Sequence, residues 1–196
     1  MEKVKIYYIN RKIVFPNCTM NVVIPLTESS RNLQSGDKII AYPIRNFFDI
    51  YFHKNKMATY SEIVSLGIFD KTVKIKLKGL NRIKINNIYN YLEADFNIIQ
   101  DIKTDSDEKS IDDLRKKAQE LIFLINVDES DKLINLLNYL TDIGQLTDFI
   151  SNYFVVDIRT RRKLFNQVDT GKRSILLDHI LKNLIKKMNR EKKGLI

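Results

Sequence analysis

Val73–Ile85 reads VKIKLKGLNRIKI. Val73, Ile75 and Leu77 alternate with Lys74, Lys76 and Lys78; Gly79 interrupts the run, and Ile83 and Ile85 resume it on the same odd-numbered side. A period of two over this length predicts a strand, or two strands across a bend, with one apolar and one charged face. A helix would scatter the lysines around its circumference. The glycine sits where a bulge or corner would bend the ribbon. The ribbon is the organising element of a β domain whose apolar face needs covering.

Outward from it, the first half of the chain reads as short strands. Val4–Ile9 and Lys12–Phe15 are β-rich, Pro16-Asn17 is a turn, and Met20–Ile24 is a strand ending at Pro25. Thr27–Gly36 predicts one short helix or irregular turn, with Thr27 as cap and Gly36 as terminator. Lys38–Tyr42 is a strand stopped by Pro43, Ser61–Phe69 forms a hairpin with Val73–Lys78 around Asp70-Lys71-Thr72, and Tyr91–Ile99 closes the set. Pro16, Pro25 and Pro43 are the chain's three prolines, all in this first part.

At residues 100–110, QDIKTDSDEKS, the apolar period disappears and a helix-capping signature follows, with Ser110 as cap and Asp113 in the first turn. The predicted boundary divides 1–103, a β domain, from 104–196, an α-helical bundle ending in a long basic helix. Ile111, Leu114, Ala118, Leu121, Ile122 and Ile125 share one helical stripe. Ser130 or Asp131 opens a second helix, Gln145–Phe154 is a third, Asp157 caps a fourth, and Thr170 caps the last. The fold class is α+β.

Composition bounds the chemistry. Of 196 residues, 44% are hydrophobic and 29% charged, enough apolar material for a core. Cys18 is the single cysteine, and His53 and His179 are far apart, which argues against a disulfide and a zinc or haem site. No P-loop, dinucleotide fingerprint, nucleophile elbow or HExxH occurs. His179, on an apolar stripe, reads as a helix-packing residue, and Cys18 as an inert small hydrophobe. No catalytic, cofactor-binding or metal-binding residue is assigned. The N-terminus has no apolar core like a signal peptide, and no stretch reaches the roughly 18 apolar residues of a membrane span, so the expected location is the cytoplasm, with no membrane partner.

Two surfaces could carry function. Lys74, Lys76, Lys78, Arg82 and Lys84 fall on one side at strand spacing, and the net charge is +9; nucleic acid is therefore one partner class. Single-strand binders interleave such cations with stacking aromatics, and this stripe has none, so a solvated strand face is the stronger reading. Phe47, Phe48, Tyr51 and Phe52 form the other feature. These rings either fill the β core or form an exposed apolar patch of the kind that binds protein.

The order of the pieces resembles the N-terminal substrate-recognition region of Lon, the ATP-dependent serine protease. Ile13-Val14-Phe15-Pro16 followed by Val22–Leu26 is similar to the family's "vvFPg…PL". Tyr60–Ile85 resembles "evGtvarI…vkvlveGlrRvrI", with Gly79, Arg82 and Ile83 at the G, R and I of "EGlrR". Ala94 in Tyr91–Ile98 matches the "A-x-V" strand. Asp148, Ile150, Leu164, Val168, Asp169 and Arg173 match "LaDlIa…L…dv..RL". The chain departs from the family at Tyr8–Arg11, where "LPLR" is usual, at Asn17 for the glycine of "FPG", at Lys78 for the usual glutamate, and at Lys71 for the glycine of the hairpin's "DG".

The resemblance implies a PUA-like β-barrel followed by a helical bundle. It implies a non-catalytic module that holds unfolded, damaged or degron-bearing proteins for ATP-dependent degradation, in the service of protein quality control. The ATPase domain with its ATP and Mg, the Ser-Lys protease domain and the homo-hexamer would belong to the full-length enzyme. The chain is either an excised part of that enzyme or a stand-alone homologue. Phe47, Phe48, Tyr51 and Phe52 are the expected substrate contacts, and a stand-alone PUA-like RNA-binding module is the alternative.

Overall fold

The structure, a computed structural model, describes residues 3–46, 48–52, 56–103, 108–125, 130–192 and 194. The chain divides into two compact units, Met1–Gln100 and Asp101–Ile196. The first holds β1 (Val4–Asn10), β2 (Thr19–Pro25), α1 (Glu28–Arg31), β3 (Lys38–Ile44), α2 (Asp49–Phe52), β4 (Met57–Phe69), β5 (Thr72–Tyr89) and β6 (Glu93–Ile98). The second holds α3 (Glu108–Ile125), α4 (Ser130–Tyr139), α5 (Ile143–Phe154), α6 (Ile158–Asn166) and α7 (Thr170–Lys192).

The lysine ribbon is the spine of the first unit. β5 runs for 18 residues, pairing β2 with its first part and β6 with its last, while β4 lies antiparallel along its other edge. The strand order is β2-β5-β4-β3-β1-β6, and β6 returns to β5, so five strands close a ring with β2 attached to it. Within the ring β1 and β3 are parallel.

The alternation along β5 does not stay on one face. Ser61 pairs with Gly79 but Tyr60 pairs with Asn81, so Leu80 is an extra residue in the strand. This bulge reverses the parity. Val73, Ile75 and Leu77 pack with Val22, Ile24 and Ile63 in one apolar cluster. Ile83 and Ile85 pack with Ile6, Tyr42 and Ala58 in a second. The two odd-numbered sets thus face opposite ways, contrary to the sequence expectation. β3 lies between the clusters, with Ile39 and Ala41 in the first and Ile40, Tyr42 and Ile44 in the second.

Gly79 has a further duty. A Cβ there would lie 2.2 Å from the Phe15 carbonyl oxygen. The segment before Pro16 crosses at this point, and Asn17 N–H donates to Gly79 O while Gly79 N–H donates to Cys18 O, both at 2.9 Å. Lys12–Phe15 is not the strand that its composition suggests. It is an irregular crossing in which Ile13, Val14 and Phe15 are consecutively buried. Asn17 takes a left-handed φ of 58°, as the family's glycine would. Thr27 caps α1 as expected, through Ser30, but that helix ends at Arg31, and Gly36 (φ 93°) belongs to a later turn.

In the helical unit, Leu114, Ala118, Leu121 and Ile122 of α3 meet a core containing Leu146, Ile150, Leu164, Phe165 and Leu177. Asp157 caps α6 as expected, accepting from Thr160 N–H at 2.7 Å. Three terminus readings change. Ser110 lies inside the first turn of α3, which already runs from Glu108. α5 starts at Ile143 rather than Gln145, capped by Asp142, which accepts from Gln145 N–H. Asp169, not Thr170, caps α7 by accepting from Lys172 N–H at 2.9 Å. On α7 the buried line is Arg173, Ser174, Leu177 and Leu181, whereas Ile175 and His179 face outward. His179 is therefore no packing residue; its Nε2 lies 3.1 Å from Asn183 Nδ2.

Arg173 is the fully buried centre of this unit. Its Nε donates to Thr147 Oγ1 at 2.9 Å, Nη1 to the Gln167 carbonyl at 2.9 Å, and both Nη1 and Nη2 to the Asp101 carboxylate. Asp148 stands 3.7 Å away. Burial works against the guanidinium's charge, but the bond to Asp101 and the fields of Asp148 and Asp142 outweigh it and raise the pKa. Of the charged residues of the family motif, Asp148 and Arg173 thus meet in the core of the bundle, while Asp169 caps α7.

Candidate functional site

A groove of about 600 Å³ opens in the β unit beside the start of α2. Its walls come from β1, the end of β2, α1 and the β5–β6 turn, with Ile6, Tyr8, Ile24, Ile44, Ile50 and Leu92 among the lining. Its apolar character follows from the barrel. Ile44 at the end of β3 belongs to the second core cluster, and Ile50 of α2 and Tyr8 of β1 pack against it. Tyr8 stacks edge-on against Tyr42 at 5.7 Å between ring centroids. Burial, with neighbouring Tyr42 and Tyr91, pushes its phenol up to about 12. Tyr7 donates to Ser29 O at 3.2 Å and ties β1 to α1; burial raises its pKa too.

The rim is aromatic. α2 is held by Asp49, whose carboxylate accepts from Arg45 N–H at 2.8 Å and pairs with the Arg45 guanidinium at 3.4 Å. That short helix presents Tyr51, and Phe48 precedes it; they are 55% and 69% exposed. Tyr51 meets Tyr91 edge-on at 5.9 Å. Tyr91 is the second of two consecutive left-handed residues, with φ 49° at Asn90 and 60° at Tyr91, in a turn closed by Leu92 N–H to Tyr89 O at 3.0 Å. Two positive φ values make this a tight hairpin turn that favours glycine at its second position. A tyrosine there carries backbone strain, and its ring is half exposed beside the groove.

Of the four expected contact residues, Tyr51 meets the groove-lining Tyr91 and Phe48 is exposed just before α2; neither lines the groove itself. Phe47 and the side chain of Phe52 lie outside the described residues. Sequence reasoning missed Tyr91, Leu92, Tyr8 and Ile50. The signal for the first two was the Asn90-Tyr91 pair between strand-like runs. Tyr8 and Ile50 come from segments brought together only by the parallel β1–β3 pairing.

The lysine stripe is split. Lys74, Lys76 and Lys78 are exposed together, whereas the Leu80 bulge sends Arg82 to the opposite side, where it is 3% exposed beside Thr59. Lys84 follows Arg82 rather than the other lysines. Cys18 is buried. Among the described residues no group of three or more His, Cys, Asp or Glu is placed to hold a metal ion. No described helix is long and apolar enough to cross a membrane.

A family model described as the ATP-dependent protease La (LON) substrate-binding domain matches residues 3–183. Two solved structures share the fold. The N-terminal domain of Mycobacterium avium complex Lon protease superimposes with a TM-score of 0.68 at 18% identity, over 92% of this chain and 98% of that one. A Lon N-terminal domain protein from Xanthomonas campestris gives 0.57 at 10% identity, over 93% and 98%. No curated protein matches the chain.

Proposed function

Because the chain belongs to the substrate-binding domain family of the ATP-dependent protease La (Lon), we propose that it is the non-catalytic recognition region of a Lon-type serine endopeptidase. It holds unfolded, damaged or degron-bearing proteins for degradation in the cytoplasm. ATP and Mg serve an ATPase domain outside this chain, and a homo-hexamer repeats the recognition surface.

The observation that supports this reading is an apolar groove lined by exposed Tyr91 and Leu92, with exposed Tyr51 against Tyr91 and exposed Phe48 just before α2. Contiguous exposed apolar surface of this kind marks protein-interaction sites. Aromatic rings offer about 150–250 Å² each to a bound segment at low entropic cost. One groove binds weakly, and weak binding lets a substrate be passed on. Several copies in a hexamer raise the grip by avidity without any new contact. The splitting of the lysine stripe disfavours the RNA-binding alternative.

The test is titration of the chain with a fluorescently labelled, permanently unfolded protein. Phe48→Ser combined with Tyr51→Ser should weaken binding about tenfold or more. Lys74→Glu, Lys76→Glu and Lys78→Glu together should leave it within about twofold at physiological salt. The reverse pattern would overturn the proposal.

A further inference from the structure

The groove has one wall that is a sheet edge. β2 is the terminal strand, bonded to β5 alone. Cys18 O accepts from Gly79 N–H, and Leu26 N–H donates to Lys71 O. Even-numbered residues of this segment therefore turn their main chain toward β5, and odd-numbered residues turn theirs outward. Two side chains confirm the alternation: Lys12 Nζ donates to Asn21 O at 2.7 Å, and Ser30 Oγ donates to Pro25 O at 3.0 Å. Between them, Val23 points both its N–H and its C=O off the edge. No described residue bonds either group, and Val23 is 54% exposed where it lines the groove.

Charge marks one end of the same groove. Arg11 and Arg45 line it where β1 and β3 finish. Arg45 is committed to Asp49. Arg11 is exposed, its Nε donates to the Arg45 carbonyl, and it faces no acidic side chain among the described residues.

We propose that extended segments of substrate bind by adding a strand to the free edge of β2 at Val23, with apolar side chains in the groove and an acidic side chain on Arg11. The inference rests on the reading of this groove as the substrate-holding surface. It adds what that reading leaves open, the class of segment held. Main-chain pairing tolerates many sequences while demanding an unfolded, extended backbone. The groove then selects apolar residues at alternate positions, and Arg11 selects a neighbouring carboxylate. Folded proteins, whose strands are already paired, would be passed over.

The experiment uses an acetylated and amidated peptide that alternates apolar and polar residues and carries one glutamate. It is titrated against the full chain by fluorescence anisotropy. N-methylation of alternate amides on the edge-facing side should weaken binding about tenfold, through loss of the main-chain bonds. Glutamine in place of glutamate should weaken it about threefold at low salt, and that difference should vanish in Arg11→Gln. Bound peptide should slow hydrogen exchange of the Val23 amide. Unchanged affinity of the N-methylated peptide, with Phe48→Ser and Tyr51→Ser still weakening binding, would overturn strand addition and leave the groove as substrate site. Unchanged affinity both for the N-methylated peptide and for Phe48→Ser with Tyr51→Ser would overturn both.

Discussion

Gly79→Ala is the substitution the β unit should tolerate least. The new Cβ would stand 2.2 Å from Phe15 O, 2.9 Å from Phe15 C and 3.3 Å from Pro16 Cα, all backbone atoms. Relief requires the crossing segment and β5 to part by more than about 1 Å. That movement stretches both 2.9 Å hydrogen bonds that join them, Asn17 N–H to Gly79 O and Gly79 N–H to Cys18 O, beyond useful length. Each lost bond costs about 1 kcal/mol, and overpacking adds about 1–3 kcal/mol. Alanine returns about 0.5–1 kcal/mol through the unfolded chain. The net loss is about 3 kcal/mol, against a total domain stability of about 5–15 kcal/mol. Urea unfolding followed by near-ultraviolet tyrosine dichroism suits the measurement, because only Tyr139 and Tyr153 of the nine tyrosines lie in the helical unit. With a urea slope of about 1–3 kcal/mol per molar, the midpoint should fall by about 1–3 M. Gly36→Ala is the control. Its φ of 93° is strained for alanine, yet nothing lies within 4 Å of the new Cβ, so its cost is about 1–2 kcal/mol. A midpoint for Gly79→Ala at or above that of the control would refute the close-approach argument.

Other outcomes follow from the buried polar groups. Arg173→Leu should destabilise the helical unit by about 3–5 kcal/mol in a far-ultraviolet urea melt, since it strips Asp148 and Asp101 of their guanidinium. Arg173→Lys should recover little of this, because an ammonium cannot serve Thr147, Gln167 and Asp101 at once. Asp95 accepts from Tyr89 Oη at 2.7 Å and from the side chain and main chain of Asn87. Led by the Tyr89 bond, these hold its carboxyl below the usual range although burial opposes them. A depressed folded pKa contributes stability above the unfolded value of about 3.9, lost as pH falls through the folded value. Asp95→Asn should accordingly flatten the acid limb of a stability profile below about pH 4. Tyr8 behaves with the opposite sign. With its folded phenol at about 12, stability is intact below the unfolded value of about 10 and declines from there toward pH 12. Ultraviolet phenolate titration should show late-ionising tyrosines, Tyr7 and Tyr89 among them, and Tyr8→Phe should remove the one that ionises at about 12.

The ribbon and the helical stripes were legible because burial imposes a period on contiguous residues. What escaped was set by register and by contacts distant in sequence. Nothing in VKIKLKGLNRIKI announces that Leu80 is an extra residue, since a bulge is defined against its partner strand, here Tyr60-Ser61. Counting odd positions across it therefore placed Ile83 with Leu77, and Arg82 and Lys84 with the lysines, on the wrong faces. Gly79 showed itself as a break in the alternation, but its reason, the Phe15 carbonyl pressed against it, lies more than sixty residues away. The helix caps failed by one or two residues for a related cause. Asp169 competes with neighbouring Thr170 for the same free amides, and the carboxylate wins because it also meets the positive end of the helix dipole; Asp142 likewise starts α5 at Ile143, two residues before the expected Gln145. The candidate site follows the same division. Phe48 and Tyr51 stood out as a local cluster, while Tyr91 and Leu92 reach the groove only when β1 pairs with β3 and β6, and Val23 only when β2 pairs with β5. A groove built from the ends of several strands has no local sequence period. Its most specific part, the outward main chain of Val23, belongs to no side chain, so no residue type could have marked it.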